Sequence, residues 1–312
     1  MQYSDEDLFL QTKVKQYGSH MVMTNMRGNI KKKYWNIDTQ FRDDYQEYTT
    51  NQPTQYTFTL PQSINNVKSI CIMNLELPLT FHNISTALHN NVISIQYSGT
   101  TYSLVITDGY YTITTLVSEI NSKITATALT GKLNFSVSGN YVKMNTLASG
   151  IYIVNFAVGI NGTTPVVFDK FNVKSKLGWY MGFRQISYTL TDGDSRISIQ
   201  SECFADVNHP RYIYLVCDDF VTSNPNSFIS ALPSSILNKN ILAKISLNMN
   251  SYNYGSIFPA NTFNGYLQSD QREYAGNTNL QRLKIQLVNE YGDPINLNGS
   301  DFSFCIVIEY EG

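Results

Sequence analysis

Charged residues are scarce in this sequence. Lys, Arg, Asp and Glu make up 15% of its 312 residues, whereas soluble domains typically contain about 25%. The net charge is −2, so the chain as a whole has no electrostatic attraction for nucleic acid. The single basic cluster, Lys31-Lys32-Lys33, precedes Tyr34 and Trp35 and indicates either a contact for polyanions or membrane headgroups, or a solvated turn before a strand. One cluster offers few phosphate contacts, so the turn is favoured and no specific nucleic-acid partner is expected.

Residues that bind metals are few and scattered. The four cysteines contain no C-x-x-C pair and lie in apolar, strand-like runs, which predicts buried, reduced thiols. His82 and His89 can approach Glu76, but their spacing does not favour a metal site over surface histidines. Asp192-Gly193-Asp194 has a spacing that can ligate Ca²⁺, yet it lacks further oxygen ligands, so a β-turn is the simpler interpretation. We therefore expect no metal ion and no cofactor.

Membrane, secretion and enzyme signals are also missing from the sequence. No apolar run approaches the roughly 18 residues of a membrane span. The acidic start MQYSDEDLFL lacks the apolar segment of a signal peptide. Phosphate-binding loops, dinucleotide fingerprints, zinc-protease motifs and serine-hydrolase motifs are absent. These absences predict a protein that is not an enzyme and that is synthesised in cytoplasm.

The clearest structural signal is the stretch from Gln55 to Ser85. Its first run alternates apolar and polar residues, as Tyr56, Phe58 and Leu60 show, which is the period of a half-buried strand. After a turn rich in polar residues, a second run from Val67 to Leu77 has apolar residues on both faces, as expected of a strand covered on both sides. Similar runs recur toward the C-terminus, and they predict an all-β fold of about eight main strands, the number in a jelly roll.

Three segments together resemble a known family. The segment NIDTQFRD begins at Asn36, the run LPQSINNVKSICIMNLELPLTFHNIS ends at Ser85, and LGWYMGF covers residues 177–183. This pattern resembles the single jelly-roll penton (vertex) proteins of nucleocytoplasmic large DNA viruses. The resemblance implies a jelly-roll β-sandwich in a virion capsid. It also implies a structural role for the segment that opens the sandwich, where an ion-paired loop is expected among Asp38, Arg42, Asp43 and Asp44.

The domain organisation is predicted to be discontinuous. Residues 36–87 plus 184–312 would form the jelly roll, and residues 88–183 would form an inserted module with the order β-β-α-β-β-β. Its helix carries Leu116, Val117, Ile120 and Ile124 at helical spacing, with Thr114 or Thr115 as the predicted N-cap. Residues 1–35 are an N-terminal arm, which is either ordered by a neighbouring subunit or a disordered terminus.

Candidate contact residues come from two places. The first is the basic and aromatic run Lys31, Lys32, Lys33, Tyr34 and Trp35. The second is the segment 248–279, which is rich in Tyr, Asn, Ser and Gly, a composition typical of adaptable contact surfaces. This composition predicts a long loop whose aromatic residues either form a subunit interface or pack on their own sandwich. These residues are Tyr252, Tyr254, Phe258, Phe263 and Tyr266.

The expected function follows from the resemblance and from the absence of catalytic motifs. The chain is expected to be a structural protein of the virion capsid, most simply a penton that forms homopentameric icosahedral vertices. Its partners would be itself and the major and minor capsid proteins, and assembly would take place in host cytoplasm. The alternatives are a minor capsid or cement protein of the same fold, and a lectin-like attachment protein that contacts a host glycan or receptor through residues 88–183.

Overall fold

The structure, a computed structural model, describes residues 29–43, 54–157, 172–193, 195–221 and 240–312, and the backbone of Gln16–Tyr17 and His20–Met21. Strands dominate these residues. The first nine are β1 Gln16–Tyr17, β2 His20–Met21, β3 Ile30–Asp38, β4 Gln55–Pro78, β5 Val92–Tyr97, β6 Thr100–Val105, β7 Leu133–Ser138, β8 Tyr141–Thr146 and β9 Gly150–Asn155. The others are β10 Ser187–Asp192, β11 Ser198–Gln200, β12 Tyr212–Asp218, β13 Ile241–Ser246, β14 Ile257–Asn261, β15 Leu267–Gln268, β16 Arg272–Val288 and β17 Ser303–Glu311. The helices are α1 Ile113–Thr125, α2 Leu177–Tyr180 and the 3-10 turns Thr39–Phe41 and Asn172–Ser175.

An eight-stranded antiparallel sheet is built around β4. Its order is β15-β13-β12-β16-β4-β17-β3, and β14 pairs with β4 off this path. The start of β4 pairs with the end of β16, with Gln55 opposite Gln286. From Val67 onward, β4 pairs with β17 on one side, where Glu76 lies opposite Ser303, and with the start of β16 and then β14 on the other. The 24-residue strand therefore belongs to both halves of a curled sheet.

The turn predicted between two strands in this stretch is wrong, because β4 is continuous. The turn-forming residues lie inside it, and Asn66 adopts a positive φ of 54°. The strand accommodates them because its ladder with β16 shifts register between Glu273 and Thr278, and twice more before Arg282. Such irregularities bend a strand without ending it.

The core of the large sheet consists of buried apolar side chains from most of its strands. Leu60, Ile64, Val67, Ile70 and Leu75 of β4 are at most 3% exposed. They pack with buried residues of β12, β13, β14, β16 and β17 in one cluster. Burying a side chain of this size stabilises the fold by about 1.5–3 kcal/mol, so this face holds the sheet in its curled form.

A second core lies in the segment inserted after β4. Two sheets, of order β10-β9-β5-β6 and β11-β8-β7, enclose it together with α1. From β5 to β9 the elements follow the order β-β-α-β-β-β. The sheets continue past residue 183, the boundary set from the sequence, because β10 pairs with β9 and β11 pairs with β8. The cluster extends to Val207.

The helix α1 begins two or three residues earlier than the sequence indicated. Thr112, and not Thr114 or Thr115, is the N-cap. Its hydroxyl accepts a hydrogen bond from the Thr115 backbone N–H at 3.3 Å, and the Thr115 hydroxyl accepts one from the Thr112 N–H at 2.9 Å. This reciprocal pair satisfies two donors that a helix start otherwise leaves open. The predicted apolar face, from Leu116 to Ile124, is buried.

The predicted fold class is confirmed: the chain is an all-β, jelly-roll-like sandwich of curled antiparallel sheets. Among the described residues, no helix is both long enough and apolar enough to cross a membrane.

Candidate assembly surfaces

Strand β3 forms one edge of the large sheet and carries the basic cluster. In the described part of the chain β3 pairs with β17 alone. The Lys32 Nζ lies 2.8 Å from the Glu309 Oε1 on β17, and Glu309 accepts a further bond from the Ser69 hydroxyl at 3.0 Å. The hydrogen bond from Lys32 holds the pKa of Glu309 below its usual value. Lys33 Nζ lies 5.3 Å from the centroid of the Tyr310 ring.

Lys32 and Lys33 therefore have partners within the chain, which disfavours a polyanion site. Lys31, aligned with Tyr310, is exposed at the same edge. Charged side chains on an edge strand disfavour pairing with a strand of another molecule. The two aromatic residues of the cluster differ: Trp35 packs against the sandwich core, while Tyr34 points to the other face and is 61% exposed.

Three of the five aromatic candidates in segment 248–279 belong to the interior. Phe258 is fully buried, since it lies opposite Leu77 in the β14–β4 ladder and faces the core. Tyr252 packs on it edge-to-face at 4.9 Å between ring centroids, and Tyr266 lies 5.1 Å away. Phe258 is therefore not a subunit contact, as the sequence had suggested it could be, because its ring is inaccessible. The predicted long loop is also corrected, because it contains β14, β15 and the start of β16.

Phe263 has the opposite environment and is 89% exposed. It lies at the tip of the turn between β14 and β15, and two asparagine side chains fix that turn. The Asn261 Oδ1 accepts from the N–H groups of Phe263 and Asn264 at 2.9 and 2.8 Å. The Asn264 Nδ2 donates to the Pro259 carbonyl at 2.7 Å. A rigid turn therefore presents a free phenyl ring, which lowers the entropy lost when the ring is bound.

Tyr254, the fifth candidate, contacts a tyrosine of the inserted segment. Its ring stacks on Tyr110 with centroids 4.9 Å apart and an interplanar angle of 14°. Its hydroxyl donates to the Thr80 carbonyl at 3.2 Å. The side chain remains 43% exposed, but its ring is already committed to a contact within the chain.

The sequence analysis missed an exposed aromatic residue beside β3. Phe41, in the 3-10 turn that follows β3, is 80% exposed. Its neighbour Arg42 is buried and pairs with Asp301, and it donates to the Thr39 carbonyl at 3.0 Å. Among the described residues, Arg42 thus has a partner from the segment before β17, which the sequence did not predict. Asp44 lies outside the described residues. A phenylalanine between Gln40 and Arg42 was the available signal.

A buried charge network at the end of β12 was also missed. The Arg272 Nη1 lies 3.0 Å from the Asp219 Oδ2 and donates to the Cys217 carbonyl at 2.8 Å. The Tyr274 hydroxyl donates to the same carboxylate oxygen at 2.7 Å. Both charged side chains are at most 1% exposed. Burial raises the pKa of Tyr274, which keeps its hydroxyl a donor, so the arrangement is structural.

The His, Cys, Asp and Glu side chains, which could bind a metal ion, are dispersed over the described part of the chain. The described residues contain no group of three or more His, Cys, Asp and Glu side chains placed to hold a metal ion. The Asp192 carboxylate accepts from the Thr146 hydroxyl at 2.5 Å, which lowers its pKa. The four cysteines are free thiols. Cys217 is fully buried, and burial raises its pKa to about 12.

One similarity of this chain is to a solved viral structure. No protein-family model matches the chain, and no curated protein matches it. Among solved structures, the mavirus penton protein is similar over 90% of this chain and 99% of its own, with 11% sequence identity and a TM-score of 0.44. A likeness of this size assigns no function to the chain.

Proposed function

We propose that this chain is a structural virion protein, and specifically the penton that closes icosahedral vertices of a large DNA virus capsid. The observation that carries the proposal is the position of the residues that resemble penton proteins. The run from Leu60 to Pro78 lies in β4, the strand shared by both halves of the sandwich. The resemblance thus involves the framework of the fold, and it supports a structural role.

The exposed aromatic residues fall on two different sides of the sheet. In the order β14-β4-β17-β3, strands β14 and β3 form opposite edges, about 14 Å apart at the usual strand spacing. The β3 side exposes Tyr34 and Phe41, whereas the β14 side exposes Ile257 and Phe263. Ring closure by identical subunits needs two different surfaces on each subunit, and these two sides have the required disposition.

Side-chain anchors, and not strand addition, are expected to make the contact. The lysines of β3 protect one edge, and Pro259 in the middle of β14 removes a ladder donor from the other. Exposed aromatic rings on rigid backbone are typical interface hot spots. In this proposal the basic run Lys31 to Lys33 sets the orientation, and Phe263 is the main anchor.

Major and minor capsid proteins are the other proposed partners, and the virion capsid is the proposed location. Native mass spectrometry of the purified full chain tests the proposal by counting subunits. A pentamer supports the vertex role. A trimer or a monomer contradicts it and favours the alternative of a minor capsid or cement protein.

A further inference from the structure

The edge strands of this protein differ in how they are protected from pairing with another molecule. Lysines occupy β3, and Pro259 interrupts β14. The edge of β7 is closed by helix α1, because the Asn121 side chain donates to the Phe135 carbonyl and accepts from the Phe135 N–H, both at 2.8 Å. Natural sheets commonly use such devices to avoid association. Strands β6 and β10, the two edges of one four-stranded sheet, contain no lysine, no proline and no bulge.

Every second residue of β6 directs its backbone away from the sheet. Ile106, directly after β6, donates its N–H to the Asn91 carbonyl at 2.7 Å. In an antiparallel ladder, residues that bond the neighbouring strand alternate with residues that face away from it. The N–H and C=O groups of Thr101, Ser103 and Val105 therefore point outward. Within the described residues these groups have no hydrogen-bond partner, and the three residues are exposed.

Strand β10, at the opposite edge of the same sheet, is arranged in the same way. The Phe156 N–H donates to the Ile186 carbonyl at 2.9 Å. The same alternation turns the backbone groups of Ser187, Thr189 and Thr191 outward. In the described part of the chain these groups are also without a hydrogen-bond partner, and all three residues are exposed.

The two edges match each other in direction, length and chemistry. Neighbouring strands in the sheet β10-β9-β5-β6 are all antiparallel. A second copy placed beside the first in the same orientation therefore presents its β10 antiparallel to β6. Each strand has six residues and three outward positions. The single charged residue of the two strands, Asp192, is buried and accepts from the Thr146 hydroxyl, so no exposed charge on either strand opposes pairing.

We propose that β6 of one subunit pairs with β10 of a second copy and continues the sheet from one subunit to the next. The register that uses all outward groups places Ser103 opposite Thr189 of the partner subunit. It forms three hydrogen-bonded residue pairs, and hydroxyl side chains of this kind stabilise one another across strands. A contact between two different edges is heterologous, so its repetition closes a ring or extends a filament.

The inference concerns which strands meet, and it does not depend on the proposed capsid role. The proposed function adds only the number of subunits in the ring. Strand addition in the inserted segment is also a separate contact from the aromatic anchors on the large sheet.

Cysteine cross-linking on the full chain tests the register. The double variant Ser103→Cys with Thr189→Cys places two thiols on opposed residues, with Cα atoms about 5.5 Å apart, within the range of a disulfide. Within one chain the two strands are about 14 Å apart, so a disulfide has to join two chains. Mild oxidation should give covalent multimers on a non-reducing gel. Thr101→Cys with Ser187→Cys, displaced by about 13 Å along the strands, is the matched control and should stay at the wild-type level.

A charge swap tests the same contact without new thiols. Ser103→Lys places a charge on the edge and should lower the self-association constant by about tenfold in analytical ultracentrifugation. Adding Thr189→Glu to the same chain should restore association, because the two charges then face each other across the strands. Gln96→Lys, exposed on the interior strand β5, is the control and should associate as the wild type does.

The proposal is overturned if the opposed thiols give no more covalent multimer than the displaced thiols. It is also overturned if Ser103→Lys associates like the wild type, or if Thr189→Glu fails to restore the association. A pentamer without the cross-link between positions 103 and 189 would keep the proposed function and reject this pairing. Cross-linked assemblies with another number of subunits would keep the pairing and reject the proposed vertex role.

Discussion

The rings of Tyr110 and Tyr254 stack face to face, with centroids 4.9 Å apart, although they come from different parts of the chain. Tyr110 precedes α1 in the inserted segment, and Tyr254 precedes β14 in the sandwich. Burial raises the pKa of Tyr110, so its phenol is neutral at physiological pH. The stack is therefore a direct contact between the inserted segment and the sandwich.

Removing the stacked ring should loosen this contact measurably. Tyr254→Ala should lower the free energy of unfolding by about 0.5–1.5 kcal/mol beyond its loss of buried area. Tyr254→Phe keeps the ring and loses only the bond to the Thr80 carbonyl, so its effect should be smaller. Urea unfolding of the two variants checks this. Equal losses would mean that the stack does not contribute.

Two phenylalanines five positions apart should respond in opposite ways. Phe263→Ser should leave the free energy of unfolding within about 0.5 kcal/mol of wild type, because the ring is in solvent. It should weaken self-association. Phe258→Ala should lower stability by about 3–5 kcal/mol, because the ring is in the core. Thermal unfolding and analytical ultracentrifugation separate the two effects. Normal assembly by Phe263→Ser would remove this residue from the interface.

Removing one partner of the buried Arg272–Asp219 pair should lower the free energy of unfolding strongly. Arg272→Met leaves the Asp219 carboxylate buried without its cation, which costs about 3–5 kcal/mol. The double variant Arg272→Met with Asp219→Leu removes both charges and should recover much of the loss. Denaturant titration of the single and double variants makes the comparison. A double variant no more stable than the single one would argue against this electrostatic explanation.

The Lys32–Glu309 pair predicts a component of acid sensitivity. Because the pKa of Glu309 is lowered in the folded chain, its contribution to stability is present above the ordinary pKa of a glutamate. The contribution is lost as the pH falls through the lowered pKa, since the unfolded chain then binds the proton more readily. Glu309→Gln should make the unfolding midpoint less sensitive to pH in this acidic range. Identical pH profiles would show that the pair contributes nothing.

The sequence predicted best what depends on local periodicity. The apolar face of α1 and the β alternation of β4 could be read directly, because each repeats with the period of its element. The continuity of β4 could not be predicted from the sequence. Its polar stretch is typical of a turn, and the long-range ladder with β16 keeps it extended. Tertiary pairing overrode the local preference of Asn66.

The sites that involve distant residues had no such signal. Arg42 meets Asp301 and Arg272 meets Asp219 only because the sheet brings them together. The composition of segment 248–279 does not separate its buried from its exposed aromatic residues, since Phe258 and Phe263 lie five positions apart and have opposite burial. Their difference arises from the β14–β4 ladder, which turns Phe258 inward, and from the following turn, which leaves Phe263 outside.

The start of β3 defines a deletion of the N-terminal arm that leaves the large sheet intact. Because β3 begins at Ile30, a deletion of residues 1–28 leaves the edge strand and its lysines intact. If the arm contributes to assembly, this deletion should weaken self-association and leave the thermal unfolding of the sandwich unchanged. Unaltered association would exclude the arm from the interface.

The central claim is that identical chains close into a five-membered ring, and the mass in solution tests it most directly. Light scattering on the purified full chain, over a range of concentrations, should give a mass five times that of the 35.4 kDa subunit. Phe263→Ser should shift that mass toward one subunit. A single-subunit mass for the wild-type chain at every concentration would contradict the account.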